Sequence, residues 1–280
     1  MILSLLRVQQ WIKNLLIFSN AIFIHQYELL ISYKVYVSFF SFCLIASSGY
    51  IINDLLDFKK DIKHPQKKLR PIQSGQILIK NAKIISCILF ILSNILASLI
   101  SINFLIIINI YFFLSVIYSM FFKKYFLIDI IFISSMLFLR VYSGEHIYGI
   151  SSSFYLVLIS FSLFLTLLAL KRMSELKTSS GQYYKSRYYN KTNIDFIFFI
   201  FFFISVLILF YYFLLGDGVL FYDTIIVFFI ITSFSAWIFY LRKKAYQGKI
   251  KNDPFIYCMK DKFSISFAFF VLFLIIFFGK

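Results

Sequence analysis

The stretch Asn53-Asp54-Leu55-Leu56-Asp57-Phe58-Lys59-Lys60-Asp61 runs on into His64-Pro65-Gln66-Lys67-Lys68-Leu69-Arg70-Pro71 and follows the apolar run Val35–Ile52. If the helix begun by that run continues, Asp54, Asp57 and Asp61 stand at i, i+3 and i+7, with Asn53 four residues before Asp57. One helix face then carries three carboxylates and an amide. Such a face is unfavourable alone, because like charges repel and the negative end of the helix dipole adds to the repulsion. A divalent cation removes the conflict, and carboxylates joined by substrate phosphate oxygens make a typical Mg²⁺ site. A solvated loop of mixed charge has no need of three acids on one face.

Outward from this stretch the chain is overwhelmingly apolar. Of its 280 residues 61% are hydrophobic and only 14% charged, which excludes an ordinary soluble domain and reads as a polytopic, all-α membrane protein. Apolar runs long enough to span fall at roughly 12–32, 35–55, 82–101, 103–122, 125–146, 152–172, 194–216, 220–241 and 262–279, giving nine expected helices. Asn14, Asn20, His25 and Gln26 interrupt the first. Ser101-Ile102-Asn103 reads as a tight turn between the third and fourth. The start, Met1–Gln10, is too short and too weakly patterned for a cleaved leader, so the first helix is expected to be retained. The expected organisation is one transmembrane domain over residues 1–280.

The net charge of +16 could suggest a nucleic-acid partner, but its distribution does not. All but three of the 28 Lys and Arg residues fall at the N-terminus or in four alternate loops; Lys34, Arg140 and Lys280 are the exceptions. The positive-inside rule puts those loops and the N-terminus in the cytoplasm and the C-terminus outside. Two of the loops, about 56–81 and 173–193, are long enough to cap the membrane face. Cys43, Cys87 and Cys258 show no pair or ligand spacing.

Topology explains the lysines but not the acids among them, and ionisable groups at a membrane boundary are functional candidates. Tyr118 and Lys123 end the fourth run and Asp129 lies one turn into the fifth; Lys123 can neutralise a phosphate and Tyr118 can donate to one. The alternative for Tyr118 and Lys123 is an interfacial anchor pair. A third cluster, Lys171-Arg172-Met173-Ser174-Glu175 with Arg187, can clamp phosphates, Glu175 positioning a cation. Arg140 reads as structural, paired with Glu145 or snorkelling.

These residues together resemble a known family. Asn53-Asp54-x-x-Asp57-x-x-x-Asp61 is similar to the first aspartate-rich motif of the UbiA-type intramembrane prenyltransferases. The segment Asn53–Gly75 is similar to the polyprenyl-phosphate phosphoribosyltransferase branch. So are Arg7-Val8-Gln9-Gln10-Trp11-Ile12-Lys13-Asn14, the Tyr118…Lys123…Asp129 segment, Lys171-Arg172…Glu175, and Asp253-Pro254…Asp261. The second DxxxD-type motif of aromatic prenyltransferases is replaced here by the basic Lys171-Arg172 cluster, which suits a second phosphorylated substrate.

The resemblance implies a nine-helix bundle in the bacterial plasma membrane, working on its cytoplasmic side. The implied reaction is Mg²⁺-dependent transfer of 5-phosphoribose from phosphoribosyl diphosphate to a polyprenyl phosphate. Asp54, Asp57 and Asp61 would hold the metal with Asn53 in support. Lys13, Lys67, Arg70, Tyr118, Lys123, Lys171, Arg172 and Arg187 would bind phosphate, and Asp129 and Glu175 would support them. A homo-oligomer stays open. Two rivals remain. A true prenyltransferase would carry the second aspartate motif, and an anionic-solute transporter would place charges near the bilayer midplane and break its helices.

Overall fold

The computed structural model describes residues 2–23, 26–149, 154–178, 191–214, 223–250 and 254–278. All regular structure among them is helical. Eight long helices carry the fold: α1 (Tyr33–Leu56), α2 (Ile79–Ser98), α3 (Ile102–Met120), α4 (Phe126–Tyr148), α5 (Phe154–Thr178), α6 (Lys191–Leu214), α7 (Thr224–Tyr246) and α8 (Lys262–Phe278). The first seven are long and apolar enough to cross a membrane, whereas α8 is a shorter apolar helix of 17 residues. The protein is an integral membrane protein.

The expected first span is not one helix. Val8–Phe18 is a 3₁₀ helix, Ser19–Phe23 a short α-helix and Tyr27–Ile31 a second 3₁₀ turn. The physical reason lies in its polar residues. Asn14 is fully buried and Lys13 and Asn20 nearly so, and Asn14 is spent on other helices, donating to Cys43 Sγ and accepting from Arg140 Nε. The nine-helix expectation therefore becomes seven candidate spans, a shorter apolar helix and a broken amino-terminal segment among the described residues.

The chain forms two compact units, residues 1–123 with 139–151, and residues 124–138 with 152–280; α4 contributes its first half to the second unit and its second half to the first. In the first unit α1 and α2 are fastened by serines. Ser41 and Ser93 exchange hydroxyl-to-carbonyl bonds at 3.0 and 2.8 Å, and Ser48 and Ser86 do the same at 2.9 and 3.2 Å. Two rungs seven residues apart on antiparallel helices bring backbones together, as small polar residues do where lipid supplies no hydrophobic drive between helices. At Gly49 an added Cβ would stand 2.8 Å from Ser115 Oγ, so α1 and α3 also approach closely. Ser101 caps α3 by accepting from the Phe104 N–H at 3.1 Å, the turn expected there.

In the second unit Thr166 of α5 meets Ser205 of α6 at 3.3 Å, and Trp237 of α7 stacks on Phe267 of α8 with ring centroids 4.7 Å apart. Apolar side chains left outside the cores, such as Ile84, Ile88, Ile91 and Ile95 on α2, form faces suited to lipid.

Candidate active site

α1 ends at Leu56, and Asp57 is its C-cap (φ −88°, ψ 2°); a separate turn, Phe58–Asp61, follows. The helix expected through Asp61 is interrupted at Asp57. The three carboxylates are drawn to different cations. Asp54 and Asp61 both turn to Arg70, whose Nη1 donates to Asp54 Oδ1 and to Asp61 Oδ2 at 2.7 Å each. Arg7 also donates to Asp54 Oδ1, and Lys67 Nζ lies 3.3 Å from Asp61 Oδ1. Asp57 instead pairs with Lys123 from the end of α3. Among the described residues no group of three or more His, Cys, Asp or Glu side chains stands together; of the expected Asn53–Asp54–Asp57–Asp61 set, Asp54 and Asp61 converge on Arg70. Asn53 contributes a backbone carbonyl to the Asp57 N–H at 3.0 Å.

The burial of this cluster is asymmetric. The Asp54 and Asp61 side chains are 4% and 2% exposed, while Arg7, Lys67 and Arg70 reach them from a wetter side at 23%, 38% and 27%. Three cations thus surround two buried acids, an arrangement that leaves positive charge facing outward for an anion.

The loop that carries Lys67 and Arg70 is fixed locally. His64 Nδ1 accepts from the Gln66 and Lys67 N–H groups at 3.2 and 3.3 Å. Burial, and then the Lys67 and Arg70 charges, push the His64 pKa below the ordinary histidine value, which keeps that nitrogen an acceptor. Ile72 and Ile77 sink into a core with Leu5, Ile51, Ala82 and Leu89. Gly75 takes the left-handed backbone (φ 76°) that closes the turn. Gln73 is buried and its Nε2 donates to the Asp54 carbonyl oxygen at 2.9 Å.

Arg7 and Gln73 join this cluster through Asp54 and were not among the candidate residues read from the sequence. Arg7 has φ 50°, and among the described residues no other non-glycine has positive φ. Its neighbours are tied down: Ser47 donates to the Leu6 carbonyl at 2.8 Å and Trp11 donates to Ser47 at 3.0 Å. Backbone held in a sparsely populated region by its surroundings is a mark of functional segments, but it is visible only in the fold. Arg140 lies in the same unit, bonded to Asn14 Oδ1 at 2.7 Å and Tyr111 Oη at 2.8 Å, its guanidinium 4.7 Å from the Tyr111 ring centroid. Lys13 is buried and Tyr118 half-buried there.

In the second unit Arg172 pairs with Asp129 and with Glu175, and all three are buried. The guanidinium expected to clamp a phosphate is bracketed by two carboxylates, and burial is the physical reason for that pairing. A charge sealed from water is satisfied inside the protein or not at all. Lys171 beside it is half-buried. Arg187 and most of the loop 173–193 lie outside the described residues.

Residues 15–259 match the model of the UbiA prenyltransferase family. The chain belongs to this family. The UbiA fold is seen directly in a UbiA homologue from Archaeoglobus fulgidus bound to GPP and Mg²⁺, which superposes with a TM-score of 0.75 and 20% identity over 98% of both chains. By sequence, the chain is 33% identical over 176 residues to the uncharacterised protein y4nM of Sinorhizobium fredii. That match takes in 62% of this chain and 34% of the relative. It is 32% identical over 183 residues to the decaprenyl-phosphate phosphoribosyltransferase of Mycolicibacterium smegmatis, covering 63% of this chain and 57% of that one. The matched stretch thus spans between a third and three fifths of these relatives' length.

Proposed function

We propose that this UbiA-family protein transfers 5-phosphoribose from phosphoribosyl diphosphate to a polyprenyl phosphate, releasing diphosphate. The observation that carries the reading is the cluster around Asp54 and Asp61, where cations outnumber acids and reach them from the exposed side. That suits a donor bearing both a diphosphate and a second phosphate. The likeness to a decaprenyl-phosphate phosphoribosyltransferase supports the same donor.

Two carboxylates converging on one point offer the hard oxygen donors that Mg²⁺ takes, and Mg²⁺ needs only one or two of them beside phosphate oxygens. Asp54 and Asp61 would hold it, with Asp57 and Asn53 at the margin. An ion held there would supply charge neutralisation for the departing diphosphate. The rest falls to the protein. In the transfer the bond from ribose C1 to the diphosphate oxygen breaks, its electron pair leaving with the diphosphate. A lipid phosphate oxygen then bonds to C1. That oxygen is already anionic, so no general base has to remove a proton. Arg7, Arg70 and Lys67 orient the donor phosphates and Lys123 neutralises charge beside them, so catalysis is positioning and charge stabilisation. Lys13 and Tyr118 are proposed to line the substrate phosphates more remotely, and in the second unit Arg172 with Asp129 and Glu175 to act as framework. By the positive-inside rule the basic loops support a site on the cytoplasmic face, where a sugar donor is available.

The test is purified protein with labelled phosphoribosyl diphosphate, polyprenyl phosphate and Mg²⁺. Label entering the lipid phase is the expected result. A parallel reaction offers prenyl diphosphate and an aromatic acceptor. Prenyl transfer without ribosyl transfer would overturn the reading.

A further inference from the structure

Gln73 presents an unexplained atom. Its side chain is 8% exposed, and Oε1 is buried without a hydrogen-bond partner. The orientation of the amide is not arbitrary. The Asp54 main-chain oxygen can only accept, so the atom 2.9 Å from it must be Nε2, which leaves Oε1 as the free end. A buried acceptor left unmet costs free energy that a ligand donor recovers. The residue also belongs to the segment that builds the ionic cluster. It is three positions after Arg70, on the loop anchored by Ile72 and Ile77, and it is bonded to the residue that carries the Asp54 carboxylate.

The chemistry of the missing partner follows from what the site would bind, so this step rests on the phosphoribosyl reading above. The diphosphate and the 5-phosphate of the donor are acceptors. Its only hydrogen-bond donors are the two ribose hydroxyls. A prenyl diphosphate has no such donor in its chain, and an orphan acceptor is no use against it. We infer that Gln73 Oε1 accepts a hydrogen bond from a ribose hydroxyl of the donor, making Gln73 a specificity-determining residue for a hydroxylated sugar over a prenyl group. Sites that hydrogen-bond a substrate hydroxyl reject analogues lacking it far more sharply than apolar pockets reject a missing methylene.

The experiment crosses three donors with two proteins. The donors are phosphoribosyl diphosphate and its 2-deoxy and 3-deoxy counterparts; the proteins are wild type and Gln73→Met, similar in volume but without the acceptor. Intrinsic reactivity of the deoxy sugars cancels in the cycle. Gln73→Met is expected to lower kcat/KM with the natural donor roughly tenfold to a hundredfold. With one of the deoxy donors the two proteins should be equal. An equal loss with all three donors, or a raised Mg²⁺ requirement in place of lost discrimination, overturns the assignment, the latter in favour of a metal-bound water as the partner. Binding of inorganic diphosphate with Mg²⁺ reports whether the variant site is intact, and Gln73→Ala is the second variant. If neither variant binds diphosphate, Gln73 is structural and the inference falls. Absence of lipid labelling by the wild type with any donor removes the phosphoribosyl reading itself. Labelling by the wild type with no cross-term in the cycle removes only Gln73.

Discussion

Each unit of the protein builds an ionic cluster from residues far apart in sequence, and the two differ in what they leave open. Around Asp54 and Asp61 the acids are buried, but Arg7, Lys67 and Arg70 approach from a side exposed by about a quarter to more than a third. Around Arg172 nothing is open: the guanidinium is 3% exposed, Asp129 0% and Glu175 9%. The first cluster has cations in excess and an accessible side, so an anion can compete for them. In the second, the Arg172, Asp129 and Glu175 side chains are sealed against one another, so these charges are proposed to serve the fold. Both look alike in sequence, as acids mixed with basic residues at the ends of apolar runs. Burial, not composition, is what distinguishes the proposed site from the proposed brace.

The largest effect is expected from breaking the brace. Arg172→Ala removes the buried guanidinium that pairs with both Asp129 and Glu175, a change that costs about 3–5 kcal/mol when one partner of a buried ion pair is removed. Thermal inactivation in detergent should show it. Replacing Asp129 and Glu175 with apolar residues in the same variant should recover most of the loss. A stable Arg172→Ala protein that no longer transfers ribose would break the comparison and return Arg172 to the phosphate-binding set.

Next comes the open cluster. Arg70→Ala removes one charge-assisted bridge, but Arg7 and Lys67 still accompany the acids. The loss should fall on kcat/KM for the donor, about 1.5–3 kcal/mol or roughly ten- to a hundredfold, with far less effect on thermal stability than Arg172→Ala. Steady-state kinetics beside a melting curve separates the two. A collapse of stability equal to that of Arg172→Ala would make this cluster a second brace.

Much of this was legible in the sequence. Apolar run length located α1 to α7, because lipid demands continuous helices with satisfied backbones, and Ser101 marked its turn by capping chemistry. The family resemblance rested on the motif that does hold the ionic cluster. Three things were not legible, each for a physical reason. The helix break at Asp57 goes with Asp54 and Asp61 turning to Arg70 while Asp57 turns to Lys123, and no local Gly or Pro announces it. The broken first span is set by Asn14 bonding to Cys43 and Arg140, contacts 29 and 126 residues away. Arg7 meets Asp54 across 47 residues, through a backbone conformation that no residue type there advertises. Local pattern fixes elements; the partner of a charge is a tertiary fact.

The smallest expected effect comes from an acid that belongs to neither cluster and so calibrates both. Asp261 caps α8: its Oδ2 accepts from the Ser264 N–H at 3.0 Å and the Ser264 hydroxyl at 2.9 Å, and Oδ1 accepts from Tyr240 Oη at 2.9 Å. Burial alone would raise its pKa, but the Ser264 backbone and hydroxyl bonds, then Tyr240 and the Lys244 charge, outweigh it and hold the carboxyl below its ordinary value. A carboxyl depressed in the folded state binds fewer protons there than in the unfolded chain. Its stabilisation is therefore fully present above the ordinary aspartate pKa and is lost as pH falls through the folded value. Asp261→Ala should cost about 1 kcal/mol at neutral pH, the usual worth of an N-cap, and the gap between variant and wild type should narrow below about pH 4. Asp261→Asn should keep most of the cap without the pH dependence. Melting curves at pH 7 and near pH 3.5 give both numbers. A loss at pH 7 as large as that of Arg172→Ala would mean that acids at helix ends in this protein act as braces whether or not they are buried. Burial would then no longer be what separates the two clusters.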